Sequence, residues 1–194
     1  MKKFYTYFCL ILTLLLGNCG QSQRVQNNDL PKAETILIKK LSEINDKISS
    51  QNNVVGEKEV TDSATVQILN FIKTDLNCKV ENWRGYISKI RKALITETIE
   101  DNVYDVNIFI PLNGSYDKEH PNVDAITLIC QVKEENKKLM QVVKSLKPFD
   151  KVSVSGIFSK NGNGDIEFAD APIPDKYNLS SPEFIIQADD ISKL

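Results

Sequence analysis

Trp83-Arg84-Gly85-Tyr86-Ile87-Ser88-Lys89-Ile90 opens the part of the chain whose pattern decides the fold. Alternation holds as far as Ile87 and slips before Ile90, which predicts a strand with a bulge or sharp bend. Further on, Tyr104, Val106, Ile108 and Ile110 alternate with Asp105, Asn107 and Phe109. Ile126, Leu128, Cys130 and Val132 do the same against Thr127, Ile129 and Gln131. Half-buried strands alternate in this way because successive side chains point to opposite faces of a sheet. Between Lys133 and Leu146 the period changes, and Leu139, Val142, Val143 and Leu146 predict one amphipathic helix. Period two returns in Val152-Ser153-Val154-Ser155-Gly156-Ile157-Phe158. Asn161-Gly162-Asn163-Gly164 then predicts a hairpin turn, with Ile166 and Phe168 starting the strand after it. Phe184-Ile185-Ile186 predicts a further edge strand, and Pro172, Pro174 and Pro182 keep the chain between them irregular.

Upstream the pattern is helical. Asp29-Leu30-Pro31 reads as a helix start, a capping acid followed by proline in the first turn. Leu37, Leu41, Ile44 and Ile48 form one apolar stripe. Residues 49–60 are polar and read as a loop. A second helix is expected from Ala64 to Leu76, capped by Thr61, Asp62 or Ser63. Its stripe is Val66, Leu69, Ile72 and Leu76, with Ile68 beside it.

The chain begins Met1-Lys2-Lys3, runs apolar from Phe4 to Leu16, and reaches Leu16-Gly17-Asn18-Cys19. A positive start, a short apolar run and a cleavage region make a secretory signal. A membrane span would need roughly 20 apolar residues. Residues 1–23 resemble the signal peptides of bacterial lipoproteins, in which a leucine stands three positions before the modified cysteine and small residues fill the gap. Leu16 and Gly17 fit. The resemblance implies cleavage after residue 18, diacylglycerol on Cys19, and a cell-envelope location at the outer membrane or cell surface, held by lipid. Several acyl chains (palmitate among them) anchor stably where one is marginal. The polar stretch after Cys19 suits a tether. The expected layout is a signal peptide over 1–18, a lipidated tether over 19–28, a helical lead-in over 29–76, and a barrel domain with its C-terminal extension over 77–194.

Three strands, one helix and two strands is an order that resembles the OB-fold, a five-stranded Greek-key barrel. Trp83-x-Gly85-x-Ile87 is similar to a first OB strand. Pro148-Phe149-Asp150-Lys151-Val152-x-Val154-x-Gly156 is similar to a fourth, entered just after the helix. The likeness covers about residues 79–170. The expected fold class is mainly β with helices (α+β): a small five-stranded OB-like Greek-key barrel preceded by two helices. The resemblance implies a ligand face on the second and third strands, here Asp105, Asn107, Phe109, Thr127, Ile129 and Gln131. Flanking loops would fall near 96–103 and 159–165. Phe109 and Ile129 would be open on an isolated barrel. They are either a contact site for a partner or, as expected here, covered by the N-terminal helices.

Charge excludes one class of partner. Without residues 1–18 the chain has 22 basic and 26 acidic residues. Nucleic-acid binders usually carry a basic face, and OB domains that bind single strands use several aromatic platforms in a basic groove. The expected face has one aromatic, Phe109, and the adjoining loop carries Glu97, Glu100 and Asp101. No nucleic acid is therefore expected.

Catalytic signatures are thin. His120 is the single histidine and sits in a polar loop, with no Gly-x-Ser-x-Gly elbow anywhere. Asn161, Asn163 and Asp165 lack the spacing and closing Glu of a calcium loop. No C-x-x-C or Cys/His cluster predicts a metal, and no phosphate loop or dinucleotide fingerprint predicts a cofactor. An oxidising compartment permits a disulfide between Cys78 and Cys130; two separate buried thiols are the other reading. The expected function is a non-enzymatic binding or interaction module, membrane-held by lipid, for an envelope protein, peptide or glycan. An envelope-polymer hydrolase using scattered carboxylates is one alternative. A structural lipoprotein self-associating through its N-terminal helix is another.

Overall fold

The computed structural model describes residues 30–51, 54–93, 102–113, 124–169, 179 and 181–194. The signal, Cys19, the tether, Asp29, the acids of the first barrel loop and His120 lie outside the described residues.

The elements are α1 (Lys32–Ser49), α2 (Val54–Asn70, continued by a π-helical turn Phe71–Asp75), β1 (Lys79–Lys92), β2 (Val103–Pro111), β3 (Ala125–Lys133), α3 (Lys137–Ser145), β4 (Lys151–Phe158) and β5 (Glu183–Lys193). The strands close into a barrel in the order β1-β2-β3-β5-β4, with β4 paired back to β1. Every pairing is antiparallel except β3 with β5. The fold is α+β and mainly β, an OB-like barrel preceded by two helices.

β1 is long because it serves two neighbours. Its first half pairs with β4 and its second with β2. The register to β2 shifts between Ile87 and Lys89, where the sequence pattern slips. Gly85 sits where β1 crosses β2 at close range. A Cβ there would lie 2.7 Å from the Phe109 carbonyl oxygen. Trp83, Ile87, Val106, Ile108, Leu128, Cys130, Val152, Val154, Phe184 and Ile186 fill the interior. Trp83 meets Phe158 edge-on at 5.9 Å, and Phe158 meets Phe184 edge-on at 5.5 Å, a geometry favoured by ring quadrupoles.

The fifth strand corrects the sequence reading. Ile166 and Phe168 do not start it; they make isolated bridges to Lys160 and Phe184. Phe184-Ile185-Ile186, expected at an edge, lies in β5 between β3 and β4 and closes the barrel. The hairpin turn exists, but Asn161 holds it locally, its Oδ1 accepting from the Asn163 and Asp165 amides. The segment returning from the turn makes only these isolated bridges, and the strand that pairs along both β3 and β4 comes later.

The lead-in differs in its second half. Pro31 occupies the N-cap of α1 rather than its first turn, and its carbonyl accepts from the Thr35 amide at 3.0 Å. Leu37, Leu41 and Ile44 are buried, as the stripe requires. α2 begins at Val54, ten residues before the expected start. Its polar opening includes an i,i+4 Lys58–Asp62 pair at 2.8 Å, which supports an exposed helix. The buried side is Ala64, Thr65, Ile68, Phe71 and Ile72, whereas Val66 is 58% exposed. α3 starts at Lys137 instead of Lys133, because β3 runs to Lys133 and Asn136 caps the helix through the Leu139 amide.

Candidate functional site

The six residues of the expected face fall on the outer side of β2 and β3 as three cross-strand pairs: Asp105 with Gln131, Asn107 with Ile129, and Phe109 with Thr127. The inward neighbours Val106, Ile108, Leu128 and Cys130 are fully buried, so the alternation read from the sequence sets which side chains face out. The face is only partly open. Asp105 is 6% exposed and Ile129 5% exposed, while Asn107, Phe109, Thr127 and Gln131 are half-buried.

Asp105 is the most constrained member. Its Oδ2 takes an ion pair from Arg91 Nε on β1 at 3.3 Å. Its Oδ1 is buried without a hydrogen-bond partner, and so is Oδ1 of Asn107 two residues along the same face. Buried acceptors left unpaired cost free energy.

On the far side of β3 the surface dips. A groove of about 320 Å³ is lined by Val103, Gln131, Lys133, Glu135, Asn136, Gln187, Ala188 and Asp189. Gln131 and Gln187 face each other in register across the parallel β3–β5 ladder. Three of the lining positions, Gln187, Ala188 and Asp189, lie on β5 and were hidden in the sequence because that strand was expected elsewhere.

The flanking loops are seen in part. Residues 94–101 lie outside the described residues. In the other, Lys73 Nζ pairs with Asp165 Oδ1 at 2.7 Å, tying the end of α2 to the Asn161 turn. The Asn161 Oδ1 is taken up by the Asn163 and Asp165 amides of the turn. Among the described residues no three His, Cys, Asp or Glu side chains gather as a metal site would require.

Cys78 and Cys130 are unbridged buried thiols, the second of the two readings. Cys130 lies between Val106 and Ile186 in its ladders. Cys78 sits just ahead of β1, its carbonyl accepting from Phe158 on β4. Since β2 separates β1 from β3, the two thiols belong to different strands of the wall. Burial, and then the Asp105 charge, pushes the Cys130 thiol well above the usual range.

Two carboxyls have clearly opposed environments. Glu34 on α1 is fully buried; its Oε2 accepts from the Arg84 amide at 3.0 Å and its Oε1 has no partner. Burial pushes it up to about 8, against the Arg84 amide and charge. Asp150, before β4, is held below the usual range by Lys193 and the Lys147 amide. One is inside the helix–barrel junction and the other caps a surface turn, so they do not form an acid–base pair in one cleft. Glu34 was missed in the sequence.

No protein-family model matches the chain, and no curated protein matches it to a significant degree.

Proposed function

We propose that this chain is a lipid-anchored binding module of a bacterial envelope, with Cys19 as the lipidated residue and the outer wall of β2 and β3 as its recognition surface. One observation carries the reading of the barrel. The Asp105–Gln131, Asn107–Ile129 and Phe109–Thr127 pairs put polar and apolar groups side by side on one wall, with two buried acceptor oxygens unpaired. Asn107, Thr127 and Gln131 stay half-exposed on that wall, beside the buried Asp105 and Ile129. The anchor rests on Leu16-Gly17-Asn18-Cys19 behind the apolar run.

Metabolic labelling with a clickable palmitate tests the anchor. Wild type takes the label and Cys19→Ala does not; an unlabelled wild type ends the lipoprotein reading. A photo-crosslinking residue at Asn107 tests the wall in cells, beside one at Val66 on the exposed side of α2. A defined envelope adduct from Asn107 and none from Val66 is expected, and identical patterns from both positions would remove the wall from consideration.

A further inference from the structure

From the groove between β3, β5 and the start of α3, we infer a binding site for a neutral, hydroxyl-rich ligand of the sugar class. The inference rests on the reading of the barrel as a binding module and names the ligand for a surface beside the proposed wall. The groove lies across β3 from that wall and shares Gln131 with it.

Three features select the ligand. The first is size: about 320 Å³ falls at the small end of ligand pockets, which run from roughly 300 to 1,000 Å³. The second is the lining. Gln131 and Gln187 present two carboxamides side by side, and each carboxamide both donates and accepts. Hydroxyl groups, which also do both, satisfy such a surface whichever way they turn. The third is charge. Glu135 and Asp189 share the lining with Lys133, so the groove carries one more acid than base and disfavours an anion, while the lysine opposes a simple cation. A neutral polar ligand meets neither penalty. An apolar one would leave the carboxamides unpaired.

The test uses the full-length chain and two uncharged probes, the disaccharide and the hexasaccharide of N-acetylglucosamine. Binding is followed by NMR through the side-chain amide signals of Gln131 and Gln187. Saturable shifts at these amides are expected. Gln187 is exposed, so Gln187→Ala should fold normally and bind about five- to tenfold more weakly, the loss of one or two hydrogen bonds. Tighter binding of the hexasaccharide would identify a polymeric glycan as the source, and equal binding a free sugar. No saturable shift with either probe, shifts unaltered by Gln187→Ala, or equal shifts with inorganic phosphate would overturn the inference. Such a failure would leave palmitate labelling and Asn107 crosslinking unaffected, so the two readings fail separately.

Discussion

Replacing Glu34 by glutamine should remove a pH dependence that wild type carries through neutrality. Glu34 is buried on α1 with one oxygen on the Arg84 amide and the other unpaired. Its carboxyl holds a proton up to about pH 8 in the folded chain, against an ordinary value of 4.5. Because the native state binds that proton more tightly than the unfolded chain does, stability is greatest below the lower value. It falls as pH rises toward the higher one and levels off above it. Each unit between the two costs about 1.4 kcal/mol. Integrated from about pH 6 to about pH 9, the loss is about 2.5 kcal/mol, a large fraction of a typical 5–15 kcal/mol fold stability, itself about this size for domains in general.

The assay is urea unfolding followed by fluorescence of Trp83, the single tryptophan, which is buried next to the residue that donates to Glu34. Glutamine keeps an oxygen for the Arg84 amide and has nothing to ionise. Its stability should therefore change between the two pH values by about 2.5 kcal/mol less than that of wild type. The difference in slope is the quantity to read, because the new amide nitrogen shifts the absolute stability by itself. Parallel curves for the two proteins across this range would refute the reasoning. They would mean that water or local opening lets Glu34 ionise without leaving its place.

Phe158→Ala should cost about 3–5 kcal/mol, the usual range for emptying a buried aromatic site, because Phe158 touches both Trp83 and Phe184; the midpoint of urea unfolding measures it. Gly156→Ala should destabilise by about 1–3 kcal/mol or more, since the added carbon meets the Gln187 carbonyl oxygen at the β4–β5 bulge and backbone cannot swing aside; a wild-type melting temperature would show that the strands separate there at little cost. Iodoacetamide at mildly alkaline pH should leave the Cys78 and Cys130 peptides unmodified in the native chain and modify both after unfolding, as mass mapping would show; rapid native labelling of Cys130 would contradict its burial and raised thiol.

What was legible in the sequence follows from what one-dimensional patterns encode. β1, β2, β3 and β4 each keep one face inside a closed wall, so each shows period two, and even the bulge after Ile87 appears as a slip in that period. β5 was misplaced because it opens on a short continuous apolar run, Phe184-Ile185-Ile186, and continues into polar residues, so no long alternation marks it, and proximity favoured Ile166 and Phe168 instead. The start of α2 was lost for the opposite reason. Glu57, Lys58 and Glu59 face solvent and bury nothing, so no apolar stripe announces them.

The two features that bear most on chemistry were hidden to different degrees. Glu34 was in reach: it stands three residues before Leu37 and seven before Leu41, on the same helical stripe, and an acid on a buried stripe must find a donor or keep its proton. Its donor, the Arg84 amide on β1, stands 50 positions away, and that pairing belongs to tertiary structure and leaves no mark on α1. The groove was out of reach. Gln131 and Gln187 are 56 positions apart by their numbers, and only the parallel pairing of β3 with β5 makes them neighbours. The same closing strand that the pattern misplaced is therefore what builds the second wall of the groove, and the error in topology and the missed surface have one cause.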